Sequence, residues 1–189
     1  MNRIWVSGYR NYELGVFDNK SPKALIIKLA IKEQLKQLIE NGCEWIITGV
    51  QLGTEQWTIE IANQLKEEYP NQFKIGIMLP FKDFGKKWNE ANQIQMQHLL
   101  SIADFSASVS DHPYESPQQL KNYQTFMLTH TDGALFLYDT DNEGKTMYDY
   151  NATNYYMKNH NYTMQIIDFD DLQETANELQ SQTDDDNFS

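Results

Sequence analysis

Cysteine is almost absent from this chain of 189 residues, which contains Cys43 alone. One thiol cannot form an intrachain disulfide, and it cannot build a metal site from several thiolates. The histidines are scattered, without the close pairing of a helix-borne metal site: His98, His112, His130 and His160. We therefore predict no metal site and no resident cofactor, and we expect the reducing environment of the cytoplasm.

Long apolar runs and an excess of basic residues are also missing. No apolar stretch approaches the length that spans a membrane, so we expect a soluble protein without membrane insertion. The net charge of −12 disfavours duplex nucleic acid as a partner, because clustered Lys and Arg hold nucleic-acid backbones. A single nucleotide remains compatible with this charge, since backbone amides and one Arg can bind a phosphate.

Short apolar segments alternate with segments of helical periodicity along the chain. Strands are predicted at 4–6, 45–48, 73–79, 105–109, 134–138 and 164–167, and helices at 21–41, 54–68, 88–102, 116–130, 147–157 and 170–179. Pro80 is expected to end the third strand. This alternation predicts an α/β fold, a Rossmann-like three-layer αβα sandwich with a mostly parallel sheet.

One domain is expected over residues 1–180, because no linker, repeat or charge block interrupts the alternation. Residues 181–189 are polar, contain three consecutive Asp residues and have Phe188 as their one large apolar side chain. We interpret this segment as an acidic disordered tail, with a partner-binding acidic peptide as the alternative. The sequence makes no prediction of the oligomeric state.

Candidate ligand-binding residues follow the first two strands, where parallel sheets bind their ligands. Gly8, Tyr9 and Arg10 come directly after the first strand. The guanidinium of Arg10 can grip a phosphate or carboxylate in a bidentate manner, or it can form a surface ion pair. Tyr9 can stack on a base, or it can cover part of the core.

The turn between the second strand and its helix has glycine at both ends. Gly49 and Gly53 bracket this turn, with Gln51 between them, and glycines let a backbone approach a ligand closely. Many strand-to-helix turns carry glycine without any ligand, so the pattern also fits a simple connection. Glu55 follows in the first turn of the helix and is the candidate catalytic base, or a residue that stabilises the helix dipole. Trp57 either packs in the core or forms a wall against a base.

A third group of candidates follows the fifth strand. Gly144, Lys145 and Thr146 resemble the end of a phosphate-binding P-loop, but Asp139 stands where that motif requires glycine. We therefore reject a Walker-type NTPase. Gly144 and Thr146 are kept as residues that open a helix whose N-terminus can meet an anion, with Asp139 beside them. An ordinary capped helix explains the same residues.

Taken together, several segments resemble the YpsA family of uncharacterised bacterial proteins over residues 1–180. They are Ser-Gly-Tyr-Arg at 7–10, Glu-Leu-Gly-Val-Phe at 13–17, Gly-Val-Gln-Leu-Gly-Thr-Glu-Gln-Trp at 49–57, Pro-Tyr-Glu-Ser-Pro at 113–117, Leu-Tyr-Asp at 137–139 and Glu-Gly at 143–144. That family is similar to the SLOG superfamily of Rossmann-like proteins, which includes DprA and the LOG phosphoribohydrolases. The resemblance implies a nucleotide or nucleotide-derived ligand and implies no particular reaction.

Carried over residue by residue, the resemblance implies a ligand edge formed by Gly8, Arg10, Gly49, Gly53 and Glu55, with Gly144 and Thr146 across the cleft. One departure concerns the phosphoribohydrolase motif Pro-Gly-Gly-x-Gly-Thr-x-x-Glu. The chain has Gly53-Thr54 without the preceding Pro-Gly-Gly, and Trp57 stands where the motif has Glu.

Two functions remain after these observations. The first is a cytoplasmic sensor or adaptor that binds a nucleotide or nucleotide derivative, ADP-ribose-like ligands included, and thereby alters its association with a protein partner. The second is a hydrolase that cleaves an N-glycosidic or phosphate bond, with Glu55 as base and Arg10 as electrostatic stabiliser. The sequence shows no second acid–base residue, which favours the sensor.

Overall fold

Strands and helices alternate throughout residues 2–188, the part of the chain that this computed structural model describes. The strands are β1 (Arg3–Gly8), β2 (Trp45–Thr48), β3 (Lys74–Phe81), β4 (Phe105–Ser110), β5 (Gly133–Leu137) and β6 (Thr163–Ile167). The helices are α1 (Pro22–Glu40), α2 (Thr54–Glu68), α3 (Glu90–Ile102), α4 (Gln118–Thr129), α5 (Thr146–Met157) and α6 (Phe169–Phe188).

All six strands form one parallel sheet in the order β4-β3-β2-β1-β5-β6. In chain order, β2, β3 and β4 are added on one side of β1. The chain then crosses to the other side of β1, where β5 and β6 are added. In register, Val6 pairs with Thr48 of β2, and Gly8 pairs with Leu137 of β5. This reversal of strand order is the place where open α/β sheets leave a crevice for ligands, at the carboxyl ends of the strands.

The helices form two layers, one on each face of the sheet. Helix α1 contacts α2 and α6, α2 contacts α3, and α4 contacts α5. Because crossovers between parallel strands are right-handed, α1, α2, α3 and α6 cover one face and α4 and α5 cover the other. The predicted three-layer αβα sandwich is therefore confirmed.

Local sequence explains where the helices begin. Ser21 accepts a hydrogen bond from the amide of Ala24, and Pro22 occupies the first turn of α1. Asn89 caps α3 in the same way by accepting from the amide of Asn92. The predicted bounds of these two helices, 21–41 and 88–102, agree with the structure to within one or two residues.

The core lies around the central strands. Trp5 of β1 is fully buried and its ring contacts that of Phe136 on β5, with the ring centroids 5.0 Å apart and the planes nearly perpendicular. All five residues of β5 are buried, as expected of a parallel strand covered on both faces. This packing holds the carboxyl ends of β1, β2 and β5 in fixed relative positions.

Pro80 does not end the third strand, contrary to the sequence prediction. Strand β3 continues through Pro80 to Phe81, which pairs with Ser110 of β4. Strand β2 ends opposite Ile77, so the last residues of β3 have a neighbour on one side only. A residue without an amide hydrogen is accommodated there because such a segment resembles a sheet edge.

The chain after β6 forms one helix that reaches Phe188. The structure describes residues 181–188 as the last turns of α6, with every one of these residues exposed, where the sequence predicted a disordered acidic tail. Ser189 lies outside the described residues. Phe169 and Leu172, at the start of α6, pack against the core, and Thr175 and Ala176 in the following turn are half-buried, so the first part of the helix anchors it.

Candidate ligand-binding cleft

A cluster of polar side chains lies above the carboxyl ends of β1 and β2. Glu55, in the first turn of α2, lies at its base. One carboxylate oxygen accepts a hydrogen bond from the hydroxyl of Ser7 at 3.0 Å, and the other accepts from the amide of Gln51 at 2.7 Å. The carboxylate of Glu55 is thus held by both strand ends.

Gly49 makes this position of Glu55 possible. A Cβ on Gly49 would collide with the Glu55 carboxylate and would lie 2.9 Å from the hydroxyl of Tyr123. The Glu55 carboxylate oxygen and the Tyr123 hydroxyl oxygen each lie within 2.9 Å of the position that this Cβ would take. The two oxygens are therefore less than 5.8 Å apart, which is twice that distance. The space that a side chain would fill at Gly49 is occupied by two functional groups from α2 and α4.

A second carboxylate reaches the cleft from the opposite helix layer. Asp149 lies in the first turn of α5 and accepts a hydrogen bond from the side-chain amide of Gln124 at 2.7 Å. Gln124 lies in α4, and so does its neighbour Tyr123, whose hydroxyl lies above Gly49. Helices from both faces of the sheet consequently converge on this cleft.

Arg10 supplies the positive charge of the cleft. Its side chain is 25% exposed, and its guanidinium lies 3.9 Å from the carboxylate of Glu13. The same carboxylate oxygen accepts a hydrogen bond from the Arg10 amide at 2.9 Å, which fixes the backbone where β1 ends. We call the set Ser7, Arg10, Gly49, Glu55, Tyr123, Gln124 and Asp149 the acid cleft.

The acid cleft shifts the protonation of its members. Burial raises the pKa of Glu55, although hydrogen bonds from Gln51 and Ser7 and the charge of Arg10 oppose the rise. Burial raises the pKa of Asp149 to about 7; the charge of Glu55 adds to the rise, while Gln124 and Arg10 oppose it. Burial, with the charges of both carboxylates, also raises the pKa of Tyr123. Near neutral pH, Asp149 therefore exchanges readily between its acid and carboxylate forms.

Three of the residues predicted from sequence belong to the acid cleft: Arg10, Gly49 and Glu55. A fourth, Gln51, contributes its backbone amide, which donates to Glu55. The others lie at the same edge of the sheet but pack against protein atoms. A Cβ on Gly8 would lie 2.7 Å from Leu137, and one on Gly53 would collide with the backbone of Asn11. These two glycines allow chain segments to pack closely together.

Tyr9 and Trp57 are structural supports in this arrangement. Tyr9 is 3% exposed, and its hydroxyl donates to the carbonyl of Asn142 at 2.5 Å while it accepts from the amide of Asp139 at 2.8 Å. Trp57 is 2% exposed and donates from its ring nitrogen to Asn19. Neither ring is available to stack on a base in this structure.

The residues predicted after β5 build the loop beside the cleft. A carboxylate oxygen of Asp139 accepts a hydrogen bond from the amide of Phe169 at 3.0 Å, and this bond lowers the pKa of Asp139. Gly144 packs against Glu13, which also accepts from the amide of Lys145. Thr146 is 1% exposed, and its hydroxyl finds no hydrogen-bond partner among the described residues.

Sequence reasoning missed four members of the acid cleft: Ser7, Tyr123, Gln124 and Asp149. Two of them carried a local signal. Ser7 is the one hydroxyl of β1, and Asp149 is the acidic residue in the first turn of a helix that follows Gly-Lys. Tyr123 and Gln124 carried none, because α4 reaches the cleft only through the order of the strands.

An open groove, with a volume of about 550 Å³, lies at the opposite edge of the sheet beside Arg3 and Asp132. The carboxylate of Asp132 already accepts hydrogen bonds from the amides of Asn2 and Arg3. Parallel sheets bind ligands at their carboxyl ends, whereas this groove lies at the amino ends. The acid cleft is therefore the better candidate site.

Two kinds of feature are absent from residues 2–188. Within that range, His, Cys, Asp and Glu form no group of three or more that could hold a metal ion. The same residues contain no helix that is long and apolar enough to cross a membrane.

The chain is similar to known bacterial proteins over nearly its whole length. It is 53% identical over 178 residues to a UPF0398 protein of Lactiplantibacillus plantarum, with 94% of each chain covered. It is 52% identical over 180 residues to a UPF0398 protein of Levilactobacillus brevis, with 95% of each covered. The YpsA family model, described as the YspA SLOG family, matches residues 4–172. The chain therefore belongs to the YpsA family of SLOG proteins.

Proposed function

We propose that this protein binds a nucleotide or nucleotide derivative, ADP-ribose-like molecules included, in the acid cleft and acts as a cytoplasmic sensor or adaptor. The observation that carries the proposal is the convergence of two carboxylates, Glu55 and Asp149, and one guanidinium, Arg10, above the strand ends. Membership of a SLOG family supports a nucleotide-type ligand. Occupancy of the cleft would change the association with a protein partner.

The charges of the cleft orient the ligand. Carboxylates accept hydrogen bonds from hydroxyl groups and repel phosphate oxygens, so the sugar hydroxyls of the ligand bind at Glu55 and Asp149. The phosphate then lies toward the partly exposed Arg10, which can hold it in a bidentate manner. Burial of Glu55 strengthens these bonds, because a cleft with little water has a low local dielectric.

Thermal unfolding in the presence of a panel of nucleosides, nucleotides and ADP-ribose tests this proposal. A ligand present at one hundred times its dissociation constant should stabilise the protein by about 2.7 kcal/mol. Arg10→Ala should weaken binding of phosphate-bearing ligands by roughly tenfold to a hundredfold and leave binding of the matching nucleoside nearly unchanged. The chain offers a matched control, since Arg3 is its only other Arg and lies at the opposite edge.

Arg3→Ala should leave every affinity as in the wild type. The proposal fails if no member of the panel stabilises the protein, or if Arg10→Ala and Arg3→Ala have equal effects. Isothermal titration of the same ligands gives the affinities directly.

A hydrolase that cleaves an N-glycosidic or phosphate bond is the second candidate. Asp149 favours it, because a carboxyl group with a pKa of about 7 beside a second carboxylate is suited to donating a proton to a leaving group. Sequence reasoning had found no such second residue. Glu55→Gln and Asp149→Asn should each keep ligand binding and reduce turnover by about two orders of magnitude or more. A sensor shows binding without any turnover in the wild type.

A further inference from the structure

We propose that the outer face of α4 and α5 is the surface through which two copies of this chain associate. The evidence is the distribution of charge and of exposed aromatic side chains over the two helix layers. The proposal is independent of the proposed function, because the association is measured without any ligand.

Acidic residues are absent from the exposed positions of α4 and α5. The chain contains 27 Asp and Glu residues, and these two helices carry one of them, Asp149, which points into the acid cleft. Helix α6, on the other face of the sheet, is strongly acidic, with Asp170, Asp171, Glu174, Glu178, Asp184, Asp185 and Asp186. The negative charge of the molecule is thus concentrated away from the α4–α5 layer.

Aromatic side chains occupy the exposed positions of α5 instead. Tyr148 is 65% exposed and Tyr155 is 70% exposed, and the exposed residue between them is Asn151. The two tyrosines are seven residues apart and so lie on one face of the helix. Leu120 on the neighbouring α4 is 44% exposed. Tyrosine enrichment and the depletion of Asp and Glu are compositional marks of a protein–protein interface, although Lys121 of α4 is also exposed on this face.

A second copy of this chain is the partner that the charge favours. Two molecules that each carry a net charge of −12 repel one another wherever their acidic faces meet. A two-fold contact places the same surface of both copies together. Among the helix layers, the α4–α5 face is where two copies can approach without bringing exposed carboxylates into contact.

The size of the face indicates a weak dimer. Each helix has 12 residues and is about 18 Å long, so the pair offers a small area compared with the roughly 800 Å² per partner of a standard interface. We therefore expect a dissociation constant in the micromolar range.

Association would also affect the acid cleft, because α4 and α5 carry Tyr123, Gln124 and Asp149 on their inner sides. A partner packed on the outer side restrains both helices and thereby the two residues joined by the Gln124–Asp149 hydrogen bond.

Sedimentation velocity of the full chain over a concentration series up to about 0.1 mM tests the proposal, since that range covers micromolar dimers. The wild type should shift from monomer to dimer. Tyr148→Glu and Tyr155→Glu, which place a carboxylate on the face, should each raise the dissociation constant at least tenfold. Tyr155→Phe should dimerise like the wild type.

Two control variants put the same charge on other surfaces. Phe105 on β4 is 54% exposed and Leu25 on α1 is 53% exposed, so Phe105→Glu and Leu25→Glu should leave the dimer intact. Asn151→Glu gives a third variant on the face, should either tyrosine variant unfold. A wild type that stays monomeric throughout the series overturns the proposal, as does dissociation by a control variant or a dimer that survives the substitutions on the face.

Discussion

At the scale of single residues, Asp149 has the clearest dependence on pH. Its folded-state pKa of about 7 exceeds the value of about 3.9 for an unperturbed Asp, so the folded protein holds this proton more tightly than the unfolded chain. Asp149 therefore costs stability as the pH rises above about 4, and the cost is complete above about 7.

Asp149→Asn should accordingly increase the free energy of unfolding by roughly 1–2 kcal/mol at about pH 8 and have no such effect at about pH 4. The expected gain is smaller than the full linkage value because the residue keeps some contact with solvent. Urea denaturation across this pH range measures the difference. A gain that is independent of pH would contradict the explanation.

Asp104 is the control of opposite sign. Its burial raises its pKa, but hydrogen bonds from Lys66 and the amide of Ile75, with the charges of Lys66 and Lys74, lower it below its usual value. Its contribution to stability is therefore present above the unfolded value and is lost as the pH falls. Asp104→Asn should reduce stability at neutral pH, and the reduction should shrink in acid.

The contact between Gly49 and Glu55 makes a second prediction at this scale. The φ of Gly49 lies outside the left-handed region, so its backbone accepts an L-residue, and the obstacle to Ala is the Glu55 carboxylate. Gly49→Ala should destabilise the wild type by about 1–3 kcal/mol through overpacking, and by less than half of that in a Glu55→Ala background. Urea denaturation of the four proteins gives the coupling.

Gly53→Ala is the matched comparison for that cycle. Gly53 has φ of +101°, and its added Cβ would meet the backbone of Tyr9 and Asn11, which no side-chain truncation removes. Its cost should therefore be the same with and without Glu55→Ala. If Glu55→Ala changed the cost of Gly49→Ala and of Gly53→Ala equally, Glu55 would not be the group that obstructs a side chain at Gly49.

At the scale of elements, Tyr9 joins the end of β1 to the loop after β5. Burial raises its pKa to about 12, and its hydroxyl both donates and accepts in that loop. Tyr9→Phe removes the partner of the Asp139 amide and of the Asn142 carbonyl, two partly buried bonds, and should cost about 1–2 kcal/mol. Hydrogen exchange of the amide of Asp139 should become faster.

Tyr12→Phe is the control for this change, because Tyr12 is 49% exposed. It should leave both the stability and the exchange of Asp139 unaltered. If Tyr9→Phe behaved like Tyr12→Phe, the hydroxyl would not be what holds the loop.

The same elements show what sequence reasoning can reach. The bounds of α2 and β2 were predicted as observed, because a glycine turn, an apolar stripe and Pro70 are all local signals. Pro80 was misread because its tolerance depends on where the neighbouring strand β2 ends. Glu55 was found from its position in a helix turn, whereas Tyr123 depends on a crossover between distant strands.

At the scale of the whole molecule, stability should depend on the first part of α6 and not on its acidic end. Deletion of residues 181–189 removes exposed side chains and should change the melting temperature by no more than about 2 °C. Deletion from residue 169 also removes Phe169, whose ring lies 5.6 Å from that of Tyr9, and should cost about 3 kcal/mol or more. Calorimetry of the two truncated proteins tests the contrast.

The position of β1 in the middle of the sheet has a consequence for how the chain is made. β1 can pair with β2 early, but its other side stays open until β5, ending at Leu137, has been synthesised. At about 5–20 residues per second, that interval lasts roughly 6–26 s after Gly8. During it, a nascent chain exposes an apolar strand edge that can pair wrongly or recruit a chaperone. This exposure ends when β5 pairs with β1, before the last strand, β6, is needed.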